Sequence, residues 1–220
     1  MPRSRSTGPL PPRVSSPDLP RVLEPAETLT GHEEILGARL APLHGARDAS
    51  FARIAECAIP DADLDTFTLT GASLRDVLIS GIRATRLIAP GSAWRTVTID
   101  GGRLATLELS GAELDSVEFR GLRIDYANLA LATLSDVRFV DCRFGSLDLP
   151  EASLDRVQFS GCHADEVDCR SVRSNNLDLR GLEALSFTDP AGLSGATLAI
   201  RQAEQHAVAF ATALGIRVLE

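Results

Sequence analysis

The sequence predicts an all-β fold in which short strand segments and corners alternate every five residues, closed at its C-terminal end by an α-helix. Three observations carry this expectation. A bulky apolar residue recurs at every fifth position from residue 54 to residue 184, a second apolar series runs two residues ahead of it, and the spacing turns helical after residue 186.

The register starts with Ile54, Ile59, Leu64, Leu69, Leu74 and Ile79 and continues through Ile99, Leu104, Leu109, Leu114, Phe119, Ile124, Leu129, Leu134, Phe139, Phe144, Leu149, Leu154, Phe159 and Leu179. Its interruptions, Ala84, Ala89, Ala164, Cys169, Ser174 and Ala184, are small. The companion series includes Ala52, Cys57, Ala62, Phe67, Ala72, Val77, Val97, Leu107, Ala112, Val117, Leu122 and Ala127. Each unit of five therefore points in, out, in, out, out. A helix needs apolar spacings of three and four, and a plain strand alternates without interruption. A repeat of five fits a short strand followed by a corner that re-aims the next marker inward.

Folding the sequence at a period of 20 stacks like on like. Ile59, Ile79, Ile99, Phe119, Phe139, Phe159 and Leu179 form one column, and Ala52, Ala72, Ser92, Ala112, Ala132 and Ala152 form a uniformly small one. Such columns suit coils stacked on coils. The units Ala112-Glu113-Leu114-Asp115-Ser116, Ala127-Asn128-Leu129-Ala130-Leu131 and Ala152-Ser153-Leu154-Asp155-Arg156 resemble the repeat of the pentapeptide-repeat family. That resemblance implies a right-handed quadrilateral parallel β-helix with four pentapeptides per coil. Residues 52–186 would then make just under seven coils, a rod roughly 32 Å long at ~4.8 Å per coil.

Both ends of such a rod expose unpaired strand edges that need covering. Residues 187–220 are expected to form a C-terminal cap. There Pro190 and Gly192 mark a turn, and Ile200, Ala203, Ala207, Phe210, Ala211 and Leu214 fall at helical spacing, predicting a helix over about 199–214. Gly215 sits where a C-cap glycine belongs, and Ile216 and Val218 suggest a returning strand. Ile200, Ala203, Ala207, Phe210 and Leu214 are thus the candidate cap or dimer interface, since the resemblance to gyrase-inhibiting members implies a homodimer joined at the C-terminal ends. At the other end, Ile35, Leu36, Leu40 and Leu43 suggest an irregular N-terminal cap over residues 26–51. Residues 1–25, with Arg3, Arg5, Arg13, Arg21 and seven Pro, read as a disordered Pro/Ser/Arg-rich tail.

Composition removes several function classes. With eight Phe but one Trp, one Tyr and one Met, the core must be narrow and mostly aliphatic. All 22 basic residues are Arg, so a phosphate loop ending in Gly-Lys-Ser/Thr is impossible. No apolar run near the N-terminus could serve as a signal or span, which points to a cytoplasmic protein. Cys57, Cys142, Cys162 and Cys169 occupy inward slots, as reduced core thiols would, while His163 points outward, so no metal site is expected. His32, His44, His163 and His206 accompany no catalytic motif, and neither an enzyme activity nor a cofactor is expected.

The charge is the informative signal. The chain carries −8, and residues 52–186 hold 14 Arg against 21 Asp plus Glu. That balance disfavours direct nucleic-acid binding and favours a basic protein partner. Glu108, Asn128, Asp148 and Asp168 share one outward column, with Glu113, Asp115 and Asp155 on the adjacent face. Such a rod could imitate the phosphates of duplex DNA. The family resemblance implies DNA gyrase as the protein whose DNA-binding saddle it would occupy, and the alternative is an interaction scaffold for an unidentified cytoplasmic protein.

Overall fold

The computed structural model describes residues 8–219. Its strands, from Glu24–Ala26 to Leu182–Thr188, are all parallel and join into one 15-stranded sheet that winds on itself. From Arg53 onward the strand pairing joins residue i to residue i+20: Ser73 faces Ala93, Ala93 faces Glu113, and Thr133 faces Ser153. The rod has about 8 turns. One turn can be followed from Gly111 to Ala130. Gly111 (φ 62°), Ser116 (φ 56°) and Gly121 (φ 59°) turn three corners in the left-handed region, and Tyr126 turns the fourth without it.

The inward columns are buried except at Gly102, Val172 and Ser174, which are half-buried. Phe119, Phe139 and Phe159 stack face to face, with centroids 4.9 and 4.7 Å apart and planes inclined by 9° and 11°. That spacing is the coil rise itself, so the backbone ladder sets the ring contact. Ser92 is tolerated in the alanine column because its hydroxyl donates to the Ala89 carbonyl at 2.7 Å.

Upstream, Glu34–Leu36, Ala38–Leu40 and His44–Asp48 form the first coil. Leu29, Ile35, Ala38, Leu40 and Leu43 fill it, while Leu36 faces solvent. This coil runs one residue short, with Glu34 opposite Arg53 and His44 opposite Asp63, and an irregularity between Gly45 and Ala46 restores the regular offset.

The N-terminal segment departs from the expected disordered tail. Its described part, from residue 8, lies along the outside of the rod and runs backward against the direction of winding. The backbone N–H groups of Leu10, Arg13, Ser15 and Asp18 donate to the side chains of Asn176, Asp136, Ser116 and Asp76, at 3.0, 2.8, 2.9 and 3.2 Å. Pro12, within this strap, is buried. The physical reason is that the segment needs no core of its own: the rod presents a row of acceptors, and the prolines have already surrendered much of the chain's freedom. Residues 1–7 lie outside the described residues.

At the far end, the expected single helix is two short ones, α1 (Ile200–Gln205) and α2 (Ala207–Ala213), joined at His206. No helix among the described residues is long and apolar enough to cross a membrane. Gly215 ends α2 with φ 75° and an N–H donated to Thr212. Ile216 and Val218 do not form the returning strand and are about half exposed.

The stacked rings make a sharp test of this packing. Phe139→Ala removes the middle ring of the column, and urea unfolding should show a loss of about 3–5 kcal/mol with the strand signature retained. A loss below about 1 kcal/mol would mean that the column does not pack as described.

Candidate interaction surface

Each coil offers one central outward position per face, and the face carrying Glu108, Asn128, Asp148 and Asp168 is the acidic column expected from the sequence. The structure brings these residues into register but does not make them equivalent. Glu108 accepts from the Asn128 amide at 2.9 Å and from the Ser110 N–H at 3.0 Å. Asp148 accepts from the Tyr126 hydroxyl at 2.9 Å and from Ser146 at 2.8 Å. Burial, followed by the bond to Asp148, pushes the Tyr126 hydroxyl up to about 12. Asp168 is different: it is 7% exposed and gripped by Arg170 at 2.6 Å. On the neighbouring face, Asp115 pairs with Arg95 at 3.2 Å and Asp155 pairs with Arg156, whereas Glu113 is exposed and makes no ion pair among the described residues. Glu108, Glu113 and Asp148 are therefore the carboxylates of the set that remain without a cationic partner there.

Several acids are structural. Glu118, Asp136, Asp168 and Asp178 are all under 10% exposed and bind Arg120 and Arg138, Arg156, Arg170 and Arg180 respectively. Three of these pairs link positions i and i+2 around a corner, an Asp/Glu-x-Arg pattern that could have been read from the sequence.

One surface feature was missed entirely by sequence reasoning. Arg83, Arg103, Arg123 and Arg143 stack in one column that continues into His163. Arg103 and Arg123 share Asp125, at 3.1 and 3.6 Å, while Arg83 and Arg143 make no ion pair among the described residues. Folding by 20 would have revealed it. The rod is acidic in sum but carries a basic stripe on the face next to the acidic column.

The C-terminal cap also works through other residues than expected. Phe210 packs against the core, but Ile200 and Leu214 are each 78% exposed, and Ala203 and Ala207 face solvent. The inward face is Gln202, His206 and Phe210, spaced by four. The Gln202 amide donates to the carbonyls of Leu179 and Leu182 at 2.8 and 2.7 Å and accepts from the Ala199 N–H, satisfying open groups of the last coil. His206 is buried edge-on against Phe187, with centroids 4.8 Å apart. The helix was read for apolar spacing, but a strand edge wants hydrogen-bonding partners, which a glutamine supplies.

The four cysteines are free and buried. Burial raises the Cys57 thiol and pushes Cys169 up to about 12, and the hydrogen bond to Cys162 together with burial raises Cys142, so these three are protonated core groups rather than nucleophiles, while the same Cys142–Cys162 hydrogen bond lowers Cys162. Among the described residues no three His, Cys, Asp or Glu side chains converge as a metal would need.

A parallel β-solenoid whose chemistry lies in repeated surface columns is a structural repeat fold and fits a protein-interaction rod. The family model for pentapeptide repeats matches the chain in 8 copies, at residues 127–163. With that match and this fold, the chain is a pentapeptide-repeat protein. No curated protein matches it.

The paired acids set the acid limit of stability. Hydrogen bonds from Arg156 hold Asp136 below the ordinary carboxylate value of 3.8, and those from Arg180 do the same for Asp178. For Asp168, burial pulls upward, but the bonds and charge of Arg170 outweigh it. A depressed carboxylate stabilises the fold above its unfolded pKa, and that contribution disappears as pH falls through the folded one. The melting temperature should therefore hold from neutrality to about pH 5 and drop progressively below about pH 4. Asp178→Asn should lower it at pH 7 and shrink that acid-dependent drop; an unchanged acid profile would show that the pair contributes nothing.

Proposed function

We propose that the protein is a non-catalytic interaction rod whose acidic column engages a basic protein surface, with the DNA-binding saddle of DNA gyrase as the partner. The observation that carries this reading is the in-register column of Glu108, Asn128 and Asp148 on a chain of net charge −8. Glu108 and Asp148 stand two coils apart with Asn128 between them, about 9.6 Å at ~4.8 Å per coil, and imitate in sign the phosphate row of one DNA strand, spaced ~3.4 Å. Complementarity of this kind steers association and is weakened by salt. Gyrase itself enters from the family resemblance.

The test is a gyrase supercoiling assay over a range of salt concentrations. Inhibition should rise with protein, fall with salt, and weaken at least tenfold in Glu108→Arg/Asp148→Arg. Asp168→Ala should change stability more than inhibition, because its carboxylate is buried against Arg170. No inhibition at excess protein would remove gyrase and leave a scaffold for another protein.

The C-terminal end favours a second contact, with another copy of the chain. Ile200, Val208, Leu214, Ile216, Val218 and Leu219 are each at least 50% exposed. Beside them an apolar hollow of about 310 Å³ is lined by Leu193, Leu198, Phe210 and Leu214, among others. Surface of this kind is rare on a monomer. Sedimentation should show a dimer that Val208→Asp/Leu214→Asp converts to monomer without loss of β signal; a monomeric wild type at micromolar concentration would refute it.

A further inference from the structure

One corner of the rod breaks the rule that the others follow. The corner series containing Gly71, Gly91 and Gly111 and the one containing Gly81, Gly101, Gly121 and Gly161 use glycine in many coils, as the left-handed region favours. The third left-handed corner, formed by Glu56, Asp76, Thr96, Ser116, Asp136, Arg156 and Asn176, never does, although its φ values lie between 52° and 56°. A side chain has been kept in every coil where none is needed to turn the chain. At four of these seven positions its oxygen accepts a backbone N–H from the strap.

The match between strap and corner is one of pitch. From Leu10 to Asp18 the strap takes eight residue steps, which span about 25 Å at the ~3.1 Å rise of an extended polyproline chain. From Asn176 to Asp76 the rod takes five coils, about 24 Å at ~4.8 Å each. All four donors are main-chain N–H groups, so the corner reads backbone conformation rather than side-chain identity. Pro11, Pro12 and Pro17 fall between the donors, Pro9 just precedes the first, and none falls on one. They fix the extended form without removing a rung.

We propose that the corner carrying Asp76, Ser116, Asp136 and Asn176 is a docking ladder for an extended, proline-containing peptide, and that residues 10–18 are its resident ligand. A partner's segment of the same chemistry takes the ladder when the strap peels away. The tether gives the strap a high effective concentration, so it acts as a built-in competitor that sets how strongly an outside peptide must bind. This ladder lies on a different corner from those flanking the acidic column, and it stands or falls independently of the gyrase reading.

The test uses the full chain and a fluorescein-labelled peptide of residues 8–22. Arg13→Pro/Ser15→Pro deletes two strap donors while leaving the solenoid untouched, and the labelled peptide should bind this variant at least tenfold more tightly than it binds wild type, read by anisotropy. Adding Ser116→Gly and Asn176→Gly should abolish that binding. Glycine suits those backbone angles, so these substitutions remove the acceptors without straining the coil, and circular dichroism should show an intact rod. In wild type, the amides of Leu10, Arg13, Ser15 and Asp18 should exchange at least tenfold more slowly than in the free peptide. Unprotected strap amides, no binding to the proline variant, or binding indifferent to the two glycine substitutions would each overturn the proposal.

Discussion

Every coil hydrogen-bonds through its backbone to the coils before and after it, and this ladder permits one offset, twenty residues, from Arg53 to the last strand. All the rest inherits that constraint. A side chain pointing inward meets its own counterparts twenty residues away, so a phenylalanine is accepted most readily above another phenylalanine. This is why Phe119, Phe139 and Phe159 occur together rather than scattered. The small alanine column lets the coils approach evenly, and a hydroxyl enters it only where, as at Ser92, a carbonyl within the same turn receives it.

The ladder must end, and the two ends solve the problem differently. At the C-terminus, the carbonyls of Leu179 and Leu182 are taken by one glutamine, and His206 and Phe210 close the apolar interior. At the N-terminus, the first coil is a residue short and regains register at Gly45 and Ala46. The strap adds a third device, joining coils that are distant in sequence along the length of the rod. Neighbour-only contact makes solenoids prone to opening from their ends. A segment bound at Asn176, Asp136, Ser116 and Asp76 opposes that, because local opening must also break bonds several coils away.

The β-helix and its register were legible in the sequence because period five has one cheap geometric solution, and the inward columns from Ile54 to Leu179 are the buried ones. What was not legible depended on pairing between unlike things. The strap looked disordered because composition judges a segment by the apolar surface it can bury, and this one is held by main-chain donors on remote side chains. Its only trace was a corner that refuses glycine. The cap face was read as apolar spacing, which picked out Phe210 but missed Gln202, since a terminal edge needs amide groups as much as oil. Asp168 was counted with Asp148 because they share a column, yet Arg170 follows Asp168 two positions later where Pro150 follows Asp148. Neutralisation is decided by that local difference, not by the column.

Columns also make charge expensive, because like charges placed directly opposite each other across a ladder repel. The molecule relieves this in most places from within. Asn128 separates Glu108 from Asp148 and donates to the former, and Asp125 sits between Arg103 and Arg123. The buried acids each carry an arginine. Against that background, Arg75, Arg83 and Arg143, each directly opposite another arginine, stand out as charges that no ion pair among the described residues relieves. Their repulsion is tolerable in water and screened by salt, but it is lowered most by a partner bearing the opposite sign. A rigid rod holds such charges in place before the partner arrives, so little ordering is needed on binding. The regularity that makes the core easy to stack thus also makes the surface a fixed electrostatic pattern, and selection for a partner can act on one column at a time without disturbing the coil beneath.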